Sequence, residues 1–249
     1  MGLAVRVIPT LLKRGAHLVK GKRFSADRVV GHVEQAARIH QARGVDELII
    51  LDVEATPAGR GPDFAAIEAL TAKCFMPLTV GGGVRSIADV EDLLRAGADK
   101  VSICTFALQR PQFIVECAKR FGCQAIVIAI DSSDVGWPCT NNGTVWWQML
   151  GAKVWAKGVA NAGAGEILLT SVDREGTMEG YDIELIREVA SAVSIPVIAH
   201  GGCSGPEDML KAIQAGASAV AAGALFQFTD WTPGACAGWL HDHGVEVRV

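Results

Sequence analysis

The chain has 249 residues, half of them hydrophobic and a fifth charged, with a net charge of −4. That length and apolar fraction supply a sizeable core and exclude a disordered chain. No Lys/Arg block stands out and no apolar run reaches membrane-spanning length, so no nucleic acid and no membrane is an expected partner.

Strand-like apolar runs recur in order: "RVIPTLL" (6–12), "ELIILDV" (47–53), "PLTVGGG" (77–83), "KVSICT" (100–105), "AIVIAID" (125–131), "EILLTS" (166–171), "PVIAHGG" (196–202) and "AVAAGAL" (219–225). Their continuous apolar character suits parallel strands covered on both faces. Helical patterns such as "SIADVEDLLRAGA" and "GPEDMLKAIQAGA" lie between most of them, which implies βαβ units. Eight strands in this length predict an α/β fold of the (β/α)8 TIM-barrel type, a single domain over residues 1–249. One segment breaks the rhythm. "DSSDVGWPCTNNGTVWWQMLG" (131–151) exceeds an ordinary strand-to-helix loop, and its "NNG" predicts a hairpin-like insertion at about 132–150. Trp137, Trp146 and Trp147 are expected to form a lid or to pack this hairpin, ahead of a third reading as an exposed aromatic partner surface.

The two halves repeat. A shift of 119 positions lays Gly44 on Gly163, Glu47 on Glu166, Asp63 on Asp182, Gly82-Gly83 on Gly201-Gly202, and Ala96-Gly97-Ala98 on Ala215-Gly216-Ala217. Self-similarity of this kind predicts a barrel built from two repeated half-barrels. The same shift lays Leu12 on Asp131, so two equivalent strand ends carry only one carboxylate.

In such a barrel, ligands gather at the C-terminal strand ends. Gly82, Gly83, Cys104, Thr105, Thr170, Asp173, Gly201, Gly202, Gly223 and Ala224 stand there and form the candidate phosphate and substrate-binding set. Glycines let backbone N–H groups approach an anion, and they also serve tight turns. Asp131 ends an apolar strand, where burial raises a carboxyl pKa and suits general acid or base work. Asp52 ends another strand and is a catalytic candidate in a direct or an orienting role. Lys20 is expected in the loop after the first strand, neutralising developing negative charge, holding a phosphate, or simply solvated. His200 ends its strand facing the mouth, a residue type able to titrate near neutral pH, although one histidine alone carries little weight. Cys104 reads as a small buried residue rather than a nucleophile. At the opposite end, Arg6, Glu47, Lys100 and Glu166 start strands and are placed to close the barrel bottom as a salt-bridge ring. The seven cysteines are odd in number and lack CxxC spacing, so reduced thiols of a cytoplasmic protein are expected, with no metal and no cofactor.

"PLTVGGGVRS", "RAGADKVSI", "VIAID", "GAGEILLTSVDREGT" and "SIPVIAHGG", in this order, resemble HisF, the cyclase barrel of imidazole glycerol phosphate synthase. The similarity runs from about residue 4 to "GVEVRV". The resemblance implies a barrel that docks a HisH-like glutaminase at its N-terminal face. Ammonia would cross the interior to a small phosphorylated substrate, with cyclisation and lyase chemistry at the mouth. It implies an acid–base pair whose second member is Asp131 and whose first falls on Leu12. The family's loop lysine falls on Lys20, its phosphate-site glycines on Gly82, Gly201 and Gly202, and its ammonia gate on Arg6, Glu47, Lys100 and Glu166.

Departures accompany Leu12. Cys104 stands where the family has asparagine, Ala224 where it has serine, and "WWQML" where it has a Thr-Gly segment. Leucine transfers no proton, and losing a general acid or base lowers rates about 10²–10⁴-fold. "IPTLL", "DVEATPAGRGPDF", "CFMPL" and "SAVAAG" are more similar to a paralog group linked to surface-polysaccharide biosynthesis. That likeness implies ammonia delivery to a separate sugar amidotransferase, converting an acetamido to an acetamidino group. The alternative expectation is a genuine histidine-pathway cyclase, and a third is a scaffold that only activates a glutaminase.

Overall fold

The computed structural model describes residues 4–147 and 150–248. Eight parallel strands close on themselves: β1 (Arg6–Arg14), β4 (Leu48–Asp52), β5 (Leu78–Gly81), β6 (Lys100–Ile103), β7 (Ile126–Ser132), β10 (Glu166–Ser171), β11 (Val197–His200) and β12 (Ala219–Ala222). Closure comes from β12 against β1, where Arg6 pairs with Ala219 and Ile8 with Ala221. The intervening numbers belong to two antiparallel hairpins: β2 (His17–Lys22) with β3 (Ser25–His32), and β8 (Pro138–Thr140) with β9 (Val145–Trp146). The expected (β/α)8 barrel is therefore present.

Around it run α1 (Val33–Ala42), α2 (Phe64–Thr71), α3 (Ile87–Arg95), α4 (Thr105–Gln109), α5 (Gln112–Phe121), α6 (Ala152–Asn161), α7 (Ile183–Ala190), α8 (Pro206–Gln214), α9 (Ala224–Phe228) and α10 (Pro233–Asp242). Local signals start them. Ser86 and Asp89 form a reciprocal capping box on α3, which satisfies two orphan backbone donors. No described helix is long and apolar enough to cross a membrane.

Alternation along each strand sorts side chains into two cores. Ile8, Ile49, Val127, Leu168, Ile198, Ala219 and Ala221 fill the barrel interior. Val7, Leu11, Leu48, Ile50, Ile128 and Leu169, one position out of phase, pack outward against the helices.

The half-barrel repeat is written into the backbone. Asp63 caps α2 and Asp182 caps α7, each accepting an N–H from three residues on. A Cβ on Gly82 would lie 2.4 Å from the Asp52 carbonyl, and one on Gly201 2.7 Å from that of Ser171. Those glycines hold φ of +110° and +93°, so the close turn and the left-handed backbone coincide at both repeat positions. Cys104 and Gly223, the residues before α4 and α9, share φ of −116° and −114°.

Three sequence expectations need correction. Both runs that end in glycine stop earlier as strands: Gly82, Gly83, Gly201 and Gly202 lie past β5 and β11, because positive φ ends the ladder. Lys20 is not in a loop. β1 continues past Leu12, which pairs at once with Leu51 of β4 and Val19 of β2, and Lys20 follows as a buried residue of β2. The three tryptophans do not act together. Trp147 packs against the outer core, while Trp137 and Trp146 on the second hairpin stay partly exposed. Of the "WWQML" segment, Gln148 and Met149 lie outside the described residues.

Candidate active site

At the N-terminal end, the four strand-start charges meet. Arg6 binds Glu47 at 2.6 Å and Glu166 at 2.5 Å, while Lys100 binds the same two carboxylates at 3.1 and 2.7 Å. Thr79 adds a hydrogen bond from its hydroxyl to Glu47 at 2.7 Å. Burial works against both ions of the Arg6–Glu166 pair. The contacts outweigh it, holding Arg6 above and Glu166 below their ordinary pKa. The ring closes the bottom of the interior, and the apolar layer from Ile8 to Ala221 lies above it.

Above that layer opens a cavity of about 290 Å³ at the C-terminal strand ends. Its walls include Leu12, Phe24, Leu51, Gly82, Gly83, Cys104 and Thr105, and its polar lining includes Asp52, Arg85, Asp131, Thr170, Glu175 and His200. A smaller cavity adjoins it, sharing Glu175 and His200 and bounded by Gly201, Gly202, Gly223 and Ala224. The ten candidate binding residues thus gather round one mouth, with one at the rim: the Asp173 carboxylate accepts the Asp134 N–H at 2.9 Å. The second hairpin leans over this mouth. The Asn141 N–H donates to the Thr105 hydroxyl at 3.3 Å, and the Asn142 amide donates to the Val53 carbonyl at 2.5 Å.

Asp131 is the inward acid of the mouth. Burial pushes its pKa up to about 6, although contacts from Cys104 and Thr170 pull it down. The Cys104 thiol donates to its Oδ2 at 3.4 Å, and burial together with the Asp131 charge holds that thiol well above its ordinary pKa. Cys104 is therefore a donor to the acid and no nucleophile. Leu12, the equivalent strand end, presents only methyl groups to the same cavity. His200 departs from expectation: burial holds it down to about 4, so it is neutral at pH 7.

Lys20 is 1% exposed, and its ammonium pairs with Glu175 at 2.5 Å. It reaches that partner by crossing Gly223, where a Cβ would lie 2.7 Å from both Cε and Nζ. The Arg23 N–H donates to the Glu175 carbonyl at 2.8 Å, so the first hairpin is clamped to the loop that carries the acid. A buried cation with one carboxylate partner is a fixed charge.

Asp52 does not offer a free carboxylate. It binds Lys13 at 3.2 Å, Arg60 through both oxygens at 2.9 Å, and the N–H groups of Glu54 and Ala55 at 3.1 Å. Lys13 also binds Asp63 at 3.0 Å. Asp52 lines the cavity, and these bonds tie its carboxylate to the loop after β4, which fits the orienting role. Sequence reasoning missed Glu175 and Lys13. Strand parity alone marks Lys13 as outward facing, whereas nothing local marks Glu175.

The histidine biosynthesis protein family model matches residues 6–232. Relatives named imidazole glycerol phosphate synthase subunit HisF, from Corynebacterium glutamicum (strain R) and Nocardia farcinica (strain IFM 10152), are each 44% identical over 257 aligned residues, covering all of both chains. The chain belongs to the HisF family. A further HisF subunit, from Mycobacterium tuberculosis (strain ATCC 25177 / H37Ra), is 42% identical and covers 99% of this chain and 96% of its own. Membership extends over the whole barrel, so the ring, Asp131 and Leu12 all lie within the matched region of this HisF-family chain.

Proposed function

We propose that this HisF-type barrel takes ammonia from a HisH-like glutaminase at its N-terminal face and conducts it through the interior to a small phosphorylated substrate at the mouth. The observation that carries this is the ion-paired ring of Arg6, Glu47, Lys100 and Glu166, set on the barrel axis beneath the cavity that holds Asp131. A ring held by side chains admits a small neutral molecule when one ion pair swings aside. Asp131, with a pKa of about 6, is poised to exchange a proton near neutral pH. Gly82, Gly83, Gly201, Gly202, Gly223 and Ala224 are the proposed anion-holding backbone, in two clusters related by the repeat. Free thiols at all seven cysteines support a cytoplasmic complex.

Two readings of the chemical step each have an observation in their favour. The full-length likeness to HisF subunits supports the histidine-pathway cyclase, in which the substrate condenses with ammonia and splits into imidazole glycerol phosphate and an aminoimidazole carboxamide ribotide. Leu12 supports the other reading, in which cyclisation is lost and ammonia serves a sugar amidotransferase that makes an acetamidino group. Incubating the purified protein with an ammonium salt and the bis-phosphorylated formimino ribulosyl carboxamide separates them. Product formation at the rate of a working cyclase overturns the sugar reading. No turnover, with the same compound still protecting the barrel from thermal unfolding, overturns the cyclase reading and keeps the phosphate site.

A further inference from the structure

Asp131, Thr170 and His200 lie side by side. Thr170 pairs in register with Asp131 of β7 on one side and with His200 of β11 on the other. The Thr170 hydroxyl lies 3.2 Å from His200 Nδ1, and as the in-register neighbour of Asp131 on the next strand it helps to hold that acid's pKa down. A contact that stabilises the carboxylate is a donated hydrogen bond. With the hydroxyl proton directed at Asp131, the Thr170 oxygen accepts from His200, an arrangement that requires the Nδ1–H tautomer with Nε2 as a lone pair. His200 borders both cavities, and Nε2 has no hydrogen-bond partner among the described residues.

We propose that Asp131, Thr170 and His200 form one proton-carrying row, with His200 Nε2 as its catalytic end against the substrate. The inference rests on the reading that ammonia is consumed at this mouth. In the base direction, Nε2 takes a proton from the substrate and Nδ1 gives its proton to Thr170. The Thr170 hydroxyl in turn gives its own to Asp131. One proton leaves the substrate, one arrives on the carboxylate, and no electrons are transferred. The row then points the opposite way, and the acid direction returns the proton through the same three groups to the departing half of the substrate. Neighbouring strands stand roughly 4.8 Å apart, so the row carries the function of Asp131 about 10 Å round the rim. Two more strands beyond β11 is β1, whose end is Leu12. The row thus brings acid–base capacity halfway to the side where the repeat lacks a carboxylate. The charged groups facing it are Glu175 and Lys20, already paired with each other, and Cys104 donates to Asp131 from β6's end.

Nitrogen-15 NMR of histidine-labelled protein through pH 5–8 tests the row, with the His200 signals assigned by their loss in His200→Gln. The expected result is the Nδ1–H tautomer, with a shift that follows the ionisation of Asp131 near pH 6. Thr170→Val, which keeps shape and loses the hydroxyl, abolishes that response, and Thr170→Ser keeps it. With ammonium and the formimino substrate, His200→Gln and Thr170→Val each lower kcat about 10²-fold or more. They shift the acidic limb of the pH profile, with KM little changed, whereas Thr170→Ser retains activity. An Nε2–H tautomer, or a Thr170→Val protein with wild-type response and kcat, overturns the proposal. An inactive wild type defeats the reading on which the row rests, and the titration then decides the row alone.

Discussion

Asp131→Asn is expected to stabilise the protein at neutral pH and to leave its stability in acid nearly unchanged. The folded carboxyl titrates at about 6 against an ordinary 3.8, a difference of about two units. At 1.36 kcal/mol per unit, keeping it ionised in the fold costs about 3 kcal/mol, and water in the adjoining cavity reduces that to about 2 kcal/mol. Between the two values the native state binds more protons than the unfolded chain. Stability from this group is therefore complete below about pH 4 and is lost as pH rises through about 6. Asparagine is nearly isosteric and never ionises, so it escapes the loss. For a chain of this size, about 2 kcal/mol corresponds to a rise in Tm of roughly 4–8 °C. Thermal unfolding of both proteins at pH 4 and pH 7.5 gives the double difference, which cancels every other titrating group. A variant no more stable than the parent at pH 7.5, or equally stabilised at pH 4, would refute burial as the cause of the raised pKa.

Four further outcomes are expected. Lys20→Met strands the Glu175 carboxylate and lowers stability by about 3–5 kcal/mol in urea unfolding, while Lys20→Met combined with Glu175→Leu recovers much of it. Gly223→Ala places a methyl group against the Lys20 ammonium and costs about 1–3 kcal/mol, measured by the same unfolding curves. Lys100→Met leaves Arg6 alone between Glu47 and Glu166. It alters glutamine-driven turnover of the glutaminase complex relative to ammonium-driven turnover, and an unchanged ratio would remove the ring from the ammonia route. Leu12→Asp puts a second carboxylate into the cavity, lowering stability by about 1–3 kcal/mol at pH 7.5. If cyclase activity remains absent in that variant, position 12 is not the only obstacle to cyclisation.

The barrel was legible because its signals are local and repeated: eight apolar runs, helical spacing between them, and a gapless self-match that lays Glu47 on Glu166 and Gly82 on Gly201. The ring at the barrel bottom was legible for the same reason, since strand starts in one layer must face one another across a closed sheet. Lys20 was misplaced because "HLVKGKRF" is too polar to read as buried strand. Its burial depends on Glu175, 155 residues away, and on the missing side chain at Gly223. Asp52 was legible as a strand-end acid at the mouth in a direct or an orienting role, but its partners Lys13, Arg60, Glu54 and Ala55 were not, being set by strand parity and loop folding. His200 reads from sequence as a neutral-pH titrator, and only its enclosure beside Thr170 shows that it stays unprotonated.

The matched backbones before α4 and α9, and the paired glycine turns after β5 and β11, give the mouth a near two-fold axis. On the proposed reading, a ligand with an anionic group at each end would meet almost the same cradle in either direction, so the backbone alone provides no polarity. Polarity comes from the positions where the halves disagree: Leu12 against Asp131, and Cys104 against Gly223 with the Lys20 ammonium across it. On that reading these few side chains would decide which end of a bound molecule faces the acid and which faces hydrocarbon. On the proposed reading, exchanging Leu12 and Asp131 between the halves would reverse the direction of binding.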